Sequence, residues 1–396
     1  MLKGKTVVLG VTGSIAAYKI ASLASMLVKL QADVHVIMTE HATEFITPVT
    51  FETLTKNKCL VDTFDRNFQF HVAHVSLGQK ADVVLVAPAT ANIIGKLAHG
   101  IADDMLSTTL MATTAPIIVS PAMNMHMYEN PILQANLEQL RSFGIQVIEP
   151  ATGFLACRDI GPGKMPEPET LLSYILKEIA FKKDLIGKKV VVTAGPTQEA
   201  LDPVRFLSNH STGKMGYELG KAAMLRGAEV TLITGPTALL PPPFMTVVSV
   251  ESAKEMYEAV MKQAEDAQII IMAAAVADYC PIDVSSQKMK KQEGEISIAL
   301  SRTKDILAQL GERKTKDQFI CGFSMETENL VENSQKKLNQ KRADLIVANS
   351  LRQEGAGFGT DTNVVTLITK ESVEELPIMG KDQVAHCILN KIVIAN

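Results

Sequence analysis

Two segments of the chain open alike. A β-branched run ending in glycine, GKTVVLGVTGSIAAYK from Gly4, returns as GKKVVVTAGPTQ from Gly187. Each is followed by an amphipathic helical stretch and a second short strand, ADVHVIMT from Ala32 and AEVTLITG from Ala228. The apolar period switches between that of a strand and that of a helix. Strand, helix and strand in this order make a βαβ unit, whose crossover leaves its two strands parallel. Further apolar runs read as buried parallel strands: ADVVLVAPAT, APIIVSPAM and GIQVIEP in the first half, AQIIIMAAAVAD, QFICGFS and ADLIVANS in the second. The expectation is α/β throughout: two doubly wound, Rossmann-like domains that hold ligands at the carboxyl ends of their strands.

The 396 residues suit two domains. The boundary is expected between Phe181 and Ile186, a charged stretch before a fresh strand, giving domains over 1–181 and 187–396. Residues Thr152 to Pro168 are rich in Gly and Pro and lack periodicity, so they read as a long functional loop. A last strand pair, Asn363 to Thr369 and Val373 to Ile378, is expected to close the second sheet antiparallel.

A net charge of −4 argues against a nucleic-acid partner, which needs a basic surface. The longest strongly apolar stretch, Ile269 to Ala277, falls far short of the ~20 residues of a membrane span. With a strand at the N-terminus and no signal-peptide pattern, a cytoplasmic protein without membrane contact is expected. Cys59, Cys157, Cys280, Cys321 and Cys387 are widely spaced, without a CxxC pair, which suits reduced thiols.

Several residues invite a chemical reading beside a plain one. The turn Gly13, Ser14, Ile15 joins a strand to a helix, where free N–H groups favour a phosphate; the alternative is a tight turn that binds nothing. GxGxxG spacing is absent, and the second strand ends in Met38-Thr39, with Glu40 one residue late for the acid an NAD site places on its ribose. His74 can take or hold a proton near neutral pH, or be structural. His71, three residues before it, has no third ligand at a diagnostic spacing, so a metal pair is disfavoured. Asn124 can orient a carboxylate without stabilising the charge that decarboxylation must lose, or simply cap a helix. Cys157, flanked by Arg158 and Lys164, is placed where cations lower a thiol pKa. In the second half Lys288, Lys290 and Lys291 form one basic cluster, and Lys337 with Lys341 a second at i,i+4. They read either as a triphosphate pocket or as solvated faces. No GxxxxGK[ST] loop is present. Asn209 precedes a helix expected from about Ser211, and Arg205 offers a planar fork to an anion.

The pieces GSIAAYK, HVAHVSL, APATANIIGKLAHGIADDMLST, SPAMNMHMYENP and GFLACRDIGPGKM together closely resemble the flavin-dependent cysteine decarboxylases. LDPVRFLSNHSTGKMG, AAAVADY, KMKKQ and KKLNQKRADLIVANS resemble phosphopantothenate–cysteine ligase. In order and length the chain is similar to the bacterial bifunctional enzymes of coenzyme A synthesis that carry both activities. The resemblance implies a flavodoxin-like first domain and a ligase with a mainly parallel sheet. It implies FMN, held by Gly13, Ser14, Ile15, Thr39 and Ser107 and completed by neighbouring subunits of a homo-oligomer. The flavin would oxidise the carbon bearing sulfur, so that electrons released with carbon dioxide have an acceptor. His74, Asn124 and Cys157 are the implied catalytic groups, with Cys157 as proton donor.

For the second half the resemblance implies CTP, 4'-phosphopantothenate and cysteine, joined through an acyl cytidylate. Ala274, Asp278, Asp305 and Phe323 match nucleotide positions, with Lys288, Lys337 and Lys341 on the phosphates, and Arg205 and Asn209 on the acyl substrate. Apart from the resemblance, Asp278 is expected to help hold Mg2+, which nucleotide triphosphates generally require. A noncatalytic flavin-binding regulator is the alternative for the first half, and it is disfavoured by the co-occurrence of His74, Asn124 and Cys157. A third reading, an NAD-dependent oxidoreductase, is disfavoured by strand ends that lack the acid.

Overall fold

In the computed structural model, residues 1–64, 73–154, 160–290, 297–326, 328–350 and 359–395 are described. The chain divides into two units, Met1–Lys182 and Lys183–Asn396. The first is built on five parallel strands, β1 (Thr6–Val11), β2 (Asp33–Met38), β3 (Val83–Ala89), β4 (Ile117–Pro121) and β5 (Gln146–Val147). They lie in the order β2-β1-β3-β4-β5.

Alternation along β1 explains why helices cover both faces. Val7, Leu9 and Val11 face the helices Tyr18–Lys29 and Pro168–Ile179, in one cluster with Ile20, Leu23, Leu171 and Ile175. Val8 joins Val84, Val86 and Val119 on the other face, against Ile94, Leu106 and Leu137. Such strands read as continuous apolar runs because neither face meets water. After β5 the chain forms a two-stranded antiparallel ribbon, β6 (Ala151–Phe154) with β7 (Ile160–Lys164).

That ribbon corrects the expectation of a plain loop over Thr152 to Pro168. Its strands carry Gly153, Gly161, Pro162 and Gly163, residues of low strand propensity. Proline is admissible because a two-stranded ribbon is all edge. The ribbon is held from outside: Met123 N–H donates to Gly163 C=O at 3.1 Å.

In the second unit β8 (Lys189–Ala194) is followed by a small antiparallel ribbon, β9 (Gln198–Ala200) with β10 (Phe206–Ser208), and then by β11 (Glu229–Thr234) and β12 (Thr246–Ser249). Next come β13 (Ile269–Met272), a second ribbon of β14 (Tyr279–Pro281) with β15 (Leu300–Arg302), β16 (Phe319–Glu326) and β17 (Leu345–Ser350). Four short strands, β18 (Thr362–Asn363), β19 (Val365–Ile368), β20 (Val373–Glu375) and β21 (Met379–Gly380), precede the last helix, Lys381–Ala395. The main sheet runs β12-β11-β8-β13-β16-β17-β19-β20. Its first six strands are parallel, and β19 and β20 add an antiparallel edge, as expected but shorter. Both units are thus doubly wound α/β folds. No described helix is long and apolar enough to cross a membrane.

Candidate functional site

In the first unit, winding reverses between β1 and β3, which opens a crevice at their carboxyl ends. Thr12, just past β1, ties the two ends together: its hydroxyl donates to Pro88 C=O at 2.7 Å and accepts from Thr90 N–H at 3.1 Å. The next residues form the turn Gly13-Ser14, and a 3₁₀ helix, Ile15–Ala17, leads into the long helix from Tyr18. Ser14 caps it, accepting from Ala16 N–H at 3.4 Å. A Cβ on Gly13 would come within 2.7 Å of the His41 Cβ, so only glycine lets the turn close onto the residues after β2. Thr39 starts the helix Glu40–Thr43 there, its N–H bonded to Val11 C=O at 3.0 Å. Gly13, Ser14, Ile15 and Thr39 therefore border one crevice. Ile15 and Tyr18, at the start of the helices that follow the turn, are large apolar side chains 59% and 60% exposed.

Ser107 is more occupied than the sequence suggested. It and Asp104 form a reciprocal cap on the helix Met105–Ala112. Its hydroxyl also accepts from Asp103 N–H at 3.1 Å. Burial works against the Asp104 charge, but Lys96 and the Ser107 donors outweigh it and hold the carboxyl below its usual range. His74 lies half-buried in the helix Ala73–Lys80. Asn124 caps the helix Met125–Tyr128 through His126 N–H at 2.9 Å, and its neighbour Met123 anchors β7. The ribbon whose two strands flank Cys157 is thereby fastened beside Asn124. Cys157 and Arg158 lie outside the described residues, as do His71 and Lys291.

In the second unit the winding reverses between β8 and β13. The segment after β13 is pinned to β8 by two wholly buried threonines, Thr193 and Thr197. Ala274 N–H donates to the Thr193 hydroxyl at 3.1 Å and Ala277 N–H to the Thr197 hydroxyl at 3.0 Å. Asn209 adds a third tie, donating to Ala275 C=O at 3.0 Å. The helix expected from about Ser211 begins at Lys214; Gly213, at φ +81°, makes the left-handed turn into it that a side chain would oppose.

Two cavities meet over this segment and share Ala274, Val276, Asp278, Phe323 and Lys337. One, of about 470 Å³, is also lined by Arg302, Lys304, Asp305 and Lys341. Lys337 donates to Phe323 C=O at 2.8 Å. Lys341 contacts Asp305 at 2.5 Å, while the other Asp305 oxygen caps the helix Ile306–Arg313 through Ala308 N–H at 2.9 Å. Burial opposes the Asp305 charge, yet Lys341 and that N–H keep its carboxyl below the usual range. The other cavity, of about 550 Å³, is lined by Asn209, Ser211, Lys214, Asn349, Asn363 and Lys381 among others.

Ala274, Asp278, Asp305, Phe323, Lys337 and Lys341 are thus brought together around one cavity, and Asn209 enters its neighbour. Lys288 and Lys290 are exposed after β14 and line neither. Their loop is held to Arg205. The buried Asp202 carboxylate accepts from Val204, Arg205 and Met289 N–H and pairs with Arg205 Nε at 3.1 Å, and the Arg205 guanidinium donates to Met289 C=O. Sequence reading missed Thr193, Thr197, Asp202, Lys214 and Lys381. The threonines carried one signal, a hydroxyl inside or just after a buried apolar strand. Asp278 borders both cavities; among the described residues no group of three or more His, Cys, Asp or Glu is arranged to hold a metal ion.

Residues 1–180 match the family model described as Flavoprotein, and residues 185–395 that of the DNA/pantothenate metabolism flavoprotein C-terminal domain. The chain is 48% identical over 396 residues to the coenzyme A biosynthesis bifunctional protein CoaBC of Bacillus subtilis (strain 168), covering 99% of this chain and 97% of that one. The protein of the same name from Haemophilus influenzae (strain ATCC 51907 / DSM 11121 / KW20 / Rd) is 42% identical over 392 residues, covering 99% and 98%. A solved C-terminal domain of a CoaBC protein is 44% identical, covers 54% of this chain and 98% of its own, and superposes with a TM-score of 0.47. The chain belongs to the bifunctional coenzyme A biosynthesis family, in which a flavoprotein decarboxylase half and a phosphopantothenate–cysteine ligase half share one polypeptide.

Proposed function

We propose that residues 187–396 activate 4'-phosphopantothenate with CTP and join it to cysteine, and that residues 1–181 bind FMN and decarboxylate the product. The observation that carries the ligase reading is the pair of adjoining cavities with a shared wall. Two substrates that must react with each other need such a junction. The cavity with Lys337 and Lys341 takes the nucleotide, and the one with Asn209 takes the acyl substrate. A carboxylate oxygen attacks the α-phosphorus, the bond to the β-phosphate oxygen breaks, and pyrophosphate leaves. The cysteine amine then attacks the acyl carbon, loses a proton, and displaces CMP. Cationic groups on the phosphates favour the charge that develops in the first step. Mg2+ is usually held by one or two carboxylates together with substrate phosphates, and Asp278 on the shared wall suits that role. Arg205 and Lys288 lie on adjoining loops, and their approach to the phosphates requires those loops to close over the bound substrates.

The flavin crevice is supported by the turn that a Cβ on Gly13 would block and by the exposed Ile15 and Tyr18. When bound, FMN supplies the oxidation and reduction that give the departing carboxylate electrons somewhere to go. Asn124 orients the substrate carboxylate, His74 assists the thiol, and Cys157 returns a proton to the decarboxylated carbon. A homo-oligomer would supply the remaining flavin contacts, and the enzyme would work in the cytoplasm.

The test follows pyrophosphate release by the full chain from CTP and 4'-phosphopantothenate without cysteine, then carbon dioxide release once cysteine is added. Release with ATP but not with CTP would reject the nucleotide assignment. A purified protein without a flavin visible spectrum, even after incubation with FMN, would reject the assignment of the first unit.

A further inference from the structure

The acyl-substrate cavity contains more cationic side chains than its assigned role has used. Lys214, Lys337 and Lys381 line it, and Asp278 is the one acidic residue on its wall among the described residues. Lys381 opens the last helix, Lys381–Ala395, and is only 6% exposed. Lys214 opens the helix Lys214–Leu225. The two converge on one short stretch: Lys381 Nζ donates to Thr360 C=O at 2.6 Å, and Lys214 Nζ to Gly359 C=O at 2.9 Å and Asp361 Oδ1 at 2.8 Å. Asp361 is 91% exposed, so water weakens its counter-charge. Asn363, 2% exposed, lies beside them and donates to Asn349 Oδ1 at 3.4 Å.

Burying an ammonium beside a second one costs free energy unless anionic charge compensates. Burial lowers the Lys381 pKa and the Lys214 charge lowers it further, while Asp361 only partly opposes them. An arriving anion would reverse that balance.

We propose that Lys214 and Lys381 form a phosphoryl-binding subsite at the Asn363 side of this cavity, taking a phosphate group of the ligase substrates. This rests on the ligase reading above. The ligand chemistry is a phosphoryl dianion, carried either by the acyl substrate's 4'-phosphate or by the polyphosphate tail of CTP.

The experiment uses the full chain as wild type, Lys214→Gln and Lys381→Met. It measures two preferences in each: 4'-phosphopantothenate over pantothenate by KM, and CTP over CMP by competition. A lost charge-assisted phosphate contact should reduce one preference by about tenfold or more, leaving the other within about twofold, and the preference that falls identifies the carrier. A merely structural role moves kcat or both preferences in parallel, and that outcome overturns the proposal. Unchanged preferences in Lys214→Gln also overturn it; this side chain is partly exposed, so the variant decides even if Lys381→Met does not fold. If the wild type releases no pyrophosphate from CTP, the ligase reading fails instead, before any variant is compared.

Discussion

Thr197→Val isolates the contact that holds the shared wall of the two ligase cavities. Valine keeps the shape of threonine and removes the acceptor for Ala277 N–H, which sits 3.0 Å from the hydroxyl. Thr197 is wholly buried, so this replacement brings in no water by itself. Ala277 is only half-buried and lines the cavity, so its unpaired N–H costs at the low end of the range for such groups, about 1–2 kcal/mol. The added methyl returns less than ~1 kcal/mol. The net loss is about 1 kcal/mol, which lowers the midpoint of a unit this size by roughly 2–4 °C.

Backbone bonds from Ala275 N–H to Gly195 C=O and from Thr197 N–H to Ala275 C=O remain. The wall should therefore loosen rather than unfold. Reordering it on nucleotide binding costs about 1 kcal/mol, or roughly a fivefold rise in KM for CTP. Calorimetry of the full chain should shift only the transition that CTP raises. Decarboxylation should stay at the wild-type rate, and Thr197→Ser, which keeps the oxygen, should restore the KM. A midpoint within 1 °C of wild type, together with an unchanged KM, would falsify the assignment of Thr197 as the pin.

Lys288→Gln should reduce pyrophosphate release from CTP while decarboxylation continues; release at the wild-type rate, saturating at the same CTP concentration, would leave Lys288 the solvated residue it is in the free chain. Asp33 has its carboxyl pulled down to about 2, because Lys80, Asn57 and His35 outweigh its burial. A lowered folded-state pKa stabilises above the unfolded value near 3.8 and loses that contribution as pH falls through about 2. Asp33→Asn should therefore be slightly less stable at pH 7, by under about 1 kcal/mol for so exposed a pair, and the gap should close between pH 4 and 2; a gap that widens on acidification would reverse the sign of the argument. Burial, with help from Glu52, pushes the Cys59 thiol up to about 12, and burial likewise raises the Cys321 thiol. In native protein at pH 8, iodoacetamide should spare both and modify the half-exposed Cys280, and mass spectrometry showing early label on Cys59 would contradict that burial.

The sheets were legible because their strands are buried on both faces. Runs such as VVLV at Val83 and IIIM at Ile269 need no partner to announce themselves. Ribbons were not legible, because pairing partners rather than local composition make a strand of Ile160–Lys164 with its Gly, Pro and Gly. The start of the helix at Lys214 was misplaced for a related reason. Ser211 and Thr212 look like caps, but the left-handed Gly213 postpones the first helical residue. Charge was the least legible feature. Lys288, Lys290, Lys337 and Lys341 are equally lysine in a sequence, and only folding separates a cavity wall from an exposed loop.

What unites the two halves is where their first strands end. Each first strand delivers a glycine turn, Gly13 in one half and Gly195 in the other, to the carboxyl ends where the winding of its sheet reverses. The floors differ. In the first unit Thr12 bridges the two strand ends by accepting Thr90 N–H and donating to Pro88 C=O. In the second, Thr193 and Thr197 hold a whole segment between strand β13 and the ribbon strand β14, leaving room for a second cavity above it. A flavin that carries its own electron sink needs one crevice and groups to orient and protonate. A ligase that brings an acid to a nucleotide needs two adjoining cavities, and the longer pinned segment provides the wall between them. On the function proposed above, the two halves differ in how much chain is fastened after one strand: a single threonine bridge in the first, and a segment held by Thr193 and Thr197 in the second.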